Sequence, residues 1–148
     1  MYLTNLPQVA SSLTFLIPYF VAVETENYIS AAMWGSITCT SVLLHITKKP
    51  YHLYGPGNCV PYLFELDQML LYATGARATY DGLYGNPPIA VVVPVFIWIA
   101  YHTLGYPFKR DVEFSIYSHV TIHLLGAIGG AAVLYGRAFK NGQESSHV

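Results

Sequence analysis

Residues 28–46 have the sequence YISAAMWGSITCTSVLLHI, which contains no Asp, Glu, Lys or Arg and has His45 near its end. A helix needs about 20 mostly apolar residues to cross the roughly 30 Å of hydrocarbon in a bilayer. This stretch therefore predicts a membrane-spanning helix. Four further apolar stretches of comparable length occur at residues 6–23, 60–76, 88–106 and 114–139.

The composition of the whole chain agrees with a membrane protein. Of its 148 residues 53% are apolar and only 10% are charged, and the mean hydropathy is +0.39. The apolar stretches lack the ten-residue alternation of a membrane β-barrel, so helices are favoured. We expect an all-α, multi-pass integral membrane bundle of about five transmembrane helices. It forms a single bundle over residues 1–140, followed by a frayed polar tail at 141–148.

Composition and motifs also exclude several classes of function. The net charge is −1 with seven Lys and Arg, so no basic face is available for the phosphates of a nucleic acid. The sequence has no G-x-S-x-G elbow, Walker-type loop, dinucleotide fingerprint or pair of cysteine ligands. The serine hydrolases, nucleotide-binding enzymes and cysteine-ligated metal proteins that these motifs mark therefore have little support.

Polar side chains inside the predicted spans give the strongest functional signal. Consecutive spans alternate direction, which places all of them near one membrane face: Ser41, His45, Asp67, His102, His119 and His123. Ionisable groups in hydrocarbon are costly, so a set that converges at one depth predicts a functional site. Glu65 is about 200° from Asp67 around a helix and is expected to face elsewhere.

The spacing of the histidines indicates a metal site. His119 and His123 are four residues apart, so both rings lie on one helical face, and His45 can supply a third imidazole. Three histidines with one open position are typical of catalytic zinc. We expect Asp67 to hold the attacking water or to act as general acid and base, and Ser41 to steady that water or a developing oxyanion.

These residues resemble the signatures of a known superfamily. Ser41-Val-Leu-Leu-His45 matches its S-x-x-x-H motif, Asp67 the aspartate of the following helix, and His119-x-x-x-His123 the H-x-x-x-H of its last helix. The superfamily is CREST, which groups alkaline ceramidases with progestin and adiponectin receptors. The resemblance implies that the three histidines bind zinc, that Asp67 and Ser41 lie beside the activated water, and that the substrate is a lipid amide such as ceramide.

Other interpretations of the same residues stay open. Paired histidines across two helices can ligate haem iron in a membrane electron-transfer protein. A non-catalytic subunit of a membrane complex can keep such a polar cluster for assembly, and a homo-oligomer is a further expectation. Asp67 can pair with a histidine for packing alone, and Ser41 can bond back to the carbonyl of Ile37.

Overall fold

A computed structural model describes residues 5–47, 60–85, 87–99 and 112–145. Within these ranges the chain is helical and contains no strand. The helices are α1 (Leu6–Ser12), α2 (Leu16–Glu24), α3 (Tyr28–Thr47), α4 (Pro61–Gly85), α5 (Pro87–Ile99) and α6 (Val112–Ser145), with a short 3₁₀ turn between α1 and α2. The predicted all-α class is confirmed for this part of the chain.

Three helical segments among the described residues are long and apolar enough to cross a membrane. They are Leu6–Glu24, Tyr28–Thr47 and Ile116–Gly142, and a shorter apolar helix lies at Pro88–Ile97. These segments correspond to the first, second and last of the predicted spans. They indicate a membrane protein.

The first span contains a short 3₁₀ turn just before Pro18. A 3₁₀ turn at Leu13–Phe15 separates α1 from α2, and Pro18 lies in the first turn of α2. Proline has no N–H to offer the carbonyl four residues earlier, which here belongs to Thr14, and its ring crowds that carbonyl. The tighter turn at residues 13–15 is consistent with this constraint.

One predicted boundary is wrong. The sequence predicts a turn formed by Asp81-Gly82, Gly85-Asn86 and Pro87-Pro88, but α4 continues through Asp81 and Gly82 to Gly85. Helix α6 continues to Ser145, past the start of the predicted polar tail. Asp81 remains inside a helix because its charge is neutralised by arginines within the bundle, a pairing that the residue order does not reveal.

Helix α6 packs against α1, α2, α4 and α5 and is the central element of the bundle. Its glycines permit this close packing. A Cβ on Gly129 would lie 2.5 Å from Val93 of α5, and one on Gly130 would collide with the indole of Trp34 of α3. The G-x-x-x-G pair that Gly130 closes thus lies at contacts within the chain.

A buried ion-pair cluster joins α3, α4 and α6 at the end of the bundle where α4 finishes. Asp81 is fully buried and pairs with Arg77 of its own helix and Arg137 of α6. Its Oδ2 also accepts hydrogen bonds from the Ser30 hydroxyl at 2.6 Å and from the Asn27 amide at 3.2 Å. One carboxylate therefore links three helices.

We expect Asp81→Asn to lower the free energy of unfolding by about 2 kcal/mol. The expected loss of stability is smaller than the loss on breaking a fully buried ion pair. Arg77 and Arg137 are 21% and 28% exposed, so both can be solvated by water when the carboxylate is removed. Thermal unfolding in detergent measures the effect. Glu65→Gln is the control, since Glu65 is exposed on the same helix. An unchanged melting temperature for Asp81→Asn would contradict this role.

Candidate metal centre

The structure brings together the three histidines that the sequence singles out. His45 near the end of α3 meets His119 and His123 of α6, and one nitrogen from each ring lies within 4.8 Å of the other two. Nε2 of His45 and Nε2 of His119 are 3.1 Å apart. In a tetrahedral zinc site, bonds of about 2.05 Å separate two nitrogens by about 3.3 Å. The donor set can therefore hold one ion after small rotations of the side chains.

The rings owe this arrangement to helix geometry. His119 and His123 are one turn apart on α6, and their ring centroids are 4.4 Å apart. The His45 ring approaches them from α3, with centroids 4.9 Å from His119 and 5.5 Å from His123. His45 is fully buried and His123 is 6% exposed, so the centre is shielded from bulk solvent.

Ser41 and Asp67, the two predicted catalytic residues, line one cavity together with His119 and His123. The Ser41 hydroxyl lies 3.0 Å from the hydroxyl of Ser12 on α1, which connects it to another helix. Asp67 is 5% exposed and its Oδ1 accepts a hydrogen bond from Thr40 at 3.2 Å. Glu65 is exposed, as predicted. His102 lies outside the described residues.

Sequence reasoning missed the contribution of the first span. Asn5, just before α1, donates from its amide to the backbone carbonyl of His45 at 3.0 Å. The Ser11 hydroxyl lies 2.9 Å from Nδ1 of His123, and the carbonyl of Gln8 accepts from both Ser11 and Ser12. The signal was available. Gln8, Ser11 and Ser12 are polar and spaced by three and four residues, so they share one helical face.

An apolar cavity of about 400 Å³ extends from the histidines into the bundle. Its walls are largely aromatic and aliphatic, contributed by Phe15, Trp34, Ile37, Leu71, Val93 and Ile97. Along α6 it extends beyond the histidines to Val133. The ten residues of helix from His123 to Val133 correspond to about 15 Å, which is about the hydrocarbon depth of one leaflet of a bilayer.

Comparisons with known proteins give no match: no family profile, no curated protein and no solved structure is similar to this chain. Conclusions about function therefore rest on the site itself.

If the three histidines hold one metal ion, His45→Ala, His119→Ala and His123→Ala should each abolish its stoichiometric binding, with Zn²⁺ as the ion tested. Each removes one of three ligands, which should weaken binding by more than the 10–100-fold that loss of an outer partner costs. Elemental analysis of the purified proteins measures the metal content. Thr121→Ala is the matched control, because Thr121 lies between the two α6 histidines on the exposed side of the helix. Full metal content in any of the histidine variants would show that the ligands are wrongly assigned.

Proposed function

We propose that the protein is a zinc-dependent intramembrane hydrolase that cleaves a lipid amide, in the manner of the alkaline ceramidases that its motifs resemble. One observation carries the proposal. Three histidine nitrogens lie within 4.8 Å of one another at the end of an apolar cavity that Ser41 and Asp67 also line. This combination of candidate metal ligands, a proton-transfer group and an apolar chamber is suited to hydrolysis of a lipid.

The proposal includes five membrane spans. Helix α4 has 25 residues and is therefore about 37 Å long, more than the hydrocarbon thickness. Its charged residues limit its hydropathy, but Asp67 faces the site and Asp81 is paired. Thirteen residues of α5 cover about 20 Å. Both helices pack against α6, as members of the same bundle would.

The chain's own residues have distinct roles in the proposed reaction. His45, His119 and His123 would hold a zinc ion, which when bound would supply Lewis acidity and lower the pKa of a coordinated water toward neutral. Asp67 would take a proton from the attacking water and return it to the amine that leaves. Its hydrogen bond from Thr40 fixes the carboxylate against α3. The apolar walls exclude bulk water and strengthen these electrostatic interactions.

The cavity favours a substrate with one long acyl chain. Its depth of about 15 Å matches the hydrocarbon of one leaflet, and its walls beyond the polar end offer an acyl chain mainly apolar contacts. Several lining residues are exposed at its side, among them Tyr72 and Gly75 of α4 and Pro94 of α5. A lipid would enter there from the bilayer, with its amide at the histidines and its chain along α6.

The geometry favours hydrolysis over haem binding. The rings of His45 and His119 approach to 3.1 Å between their Nε2 atoms, which leaves no space for a porphyrin between them. A haem ligand set also gives Asp67 and Ser41 no role. A Soret band in the purified protein would reverse this choice, and a metal-free protein found only in a larger complex would favour the non-catalytic subunit.

We expect Asp67→Asn to retain Zn²⁺. Its rate of hydrolysis of a long-chain N-acyl amide should fall roughly 10²–10⁴-fold, which is the usual contribution of general acid–base catalysis. The asparagine keeps the size and the hydrogen bond of the side chain but cannot take up the proton. Activity is measured by release of fatty acid in detergent micelles, with metal content determined on the same samples. Glu65→Gln on the same helix is the control. Unchanged turnover in Asp67→Asn would refute the proposed reaction.

We expect Gly126→Leu to discriminate against long acyl chains. Gly126 lines the cavity just beyond His123, and a Cβ there makes only ordinary contacts with Phe15 and Ile97. A leucine would fill the path of the chain. Its kcat/KM for a long-chain amide should fall at least about tenfold relative to a short-chain amide. Gly142→Leu, at an exposed position of α6 with open space around it, is the control. An equal loss for both substrates would contradict the assigned chain path.

A further inference from the structure

A hydrogen-bond network from α1 reaches two of the site residues. Ser11 contacts Nδ1 of His123 at 2.9 Å, and Ser12 contacts the Ser41 hydroxyl at 3.0 Å and the same Nδ1 at 3.4 Å. Both serines also lie within hydrogen-bond distance of the Gln8 carbonyl, at 3.0 and 2.8 Å. Ser11 is 4% exposed and Ser12 fully buried, so water is largely excluded.

The chemistry of these groups limits where their protons can lie. A carbonyl oxygen only accepts hydrogen bonds, and a serine hydroxyl has a single proton to donate. If Ser11 and Ser12 both donate to the Gln8 carbonyl, each has to accept in its other contacts. In that arrangement His123 donates from Nδ1 to Ser11, and Ser41 donates to Ser12.

We propose that Ser11 and Ser12 are positioning residues, which hold the proton of the His123 ring on Nδ1 and the proton of Ser41 away from the histidines. With Nδ1 protonated, the neutral ring carries its lone pair on Nε2, the form that binds a metal ion. Metal-ligating histidines commonly donate their other N–H to a carbonyl or carboxylate, which fixes the tautomer. Here a serine pair anchored on a helix carbonyl has that role. The inference rests on the proposed function, since the tautomer matters when a metal binds.

The network also selects between the two roles expected for Ser41. A hydroxyl whose proton is donated to Ser12 cannot donate to a developing oxyanion. Its lone pairs instead accept from a proton donor in the cavity, such as the attacking water or the amide N–H of the substrate. In this arrangement Ser41 would orient a donor in the site, and a metal ion held by the three histidines would supply the stabilisation of negative charge.

Back-bonding of serine to its own helix is common and by itself indicates no function. Two observations distinguish Ser11 and Ser12 from serines that only bond back to their own helix. The serine oxygens contact groups on α3 and α6, and both contacts are to residues at the candidate metal centre.

The test is ¹⁵N NMR of the histidine rings in the metal-free, full-length protein in alkaline detergent solution, where imidazole is neutral. The ring nitrogen shifts distinguish the two tautomers, and His123 is assigned by its absence from His123→Asn. We expect an Nδ1–H ring in the wild type and a shift toward Nε2–H in Ser11→Ala. Affinity for Zn²⁺, measured by competition with a chelator, should fall about 10–100-fold in Ser11→Ala.

Two further variants separate positioning from folding. Ser11→Thr keeps the hydroxyl and should restore both the Nδ1–H tautomer and the Zn²⁺ affinity. Ser36→Ala removes an exposed serine of α3 and should change neither. An Nε2–H ring in the wild type, or wild-type Zn²⁺ affinity in Ser11→Ala, would overturn the inference while leaving a zinc hydrolase possible. An Nδ1–H ring in a wild-type protein that does not bind Zn²⁺ would overturn the proposed function, and with it the role assigned to the serines.

Discussion

The packing of three imidazoles inside an apolar bundle is the constraint on which the rest of the structure depends. Polar groups removed from water cost free energy unless they are hydrogen-bonded, so each element near His45, His119 and His123 has to supply a partner. Helix α1 supplies Ser11 and the residue before it supplies Asn5. Ser11 thus contacts the ring of His123, whereas Asn5 donates to the backbone carbonyl of His45.

The apolar cavity remains open because the helices around it are fixed at both ends. The histidines and Asp67 lie at one end, and the Asp81 cluster lies 14 residues further along α4, about 21 Å away. Between them α6 presents Gly126, Gly129 and Gly130 to the cavity. Gly126 leaves volume that a larger side chain would fill, whereas Gly129 and Gly130 allow the close approach of Val93 and Trp34.

Much of the site follows from the sequence, because span parity and helical periodicity are sufficient to place residues by depth and by face. These two rules put His45, His119 and His123 at one level, and the structure brings them within 4.8 Å. They do not identify partners across helices. The boundary at Asp81 was wrong because its arginine partners are 4 and 56 residues away. Ser11 and Ser12 were missed because serine is ordinary in a membrane helix, and the face that they share with Gln8 does not reveal that it contacts His123.

The arrangement of the nitrogens is itself an argument for a cation. If Ser11 and Gln8 hold the proton of His123 on Nδ1, its Nε2 lone pair is available to a ligand. His45 and His119 already approach each other through Nε2 atoms 3.1 Å apart. A single proton can bridge two of these nitrogens but not three. A divalent cation can accept all three lone pairs at one point. Packing alone would need only a serine–histidine pair. The three nitrogens, which all lie within 4.8 Å of one another, could therefore hold one metal ion.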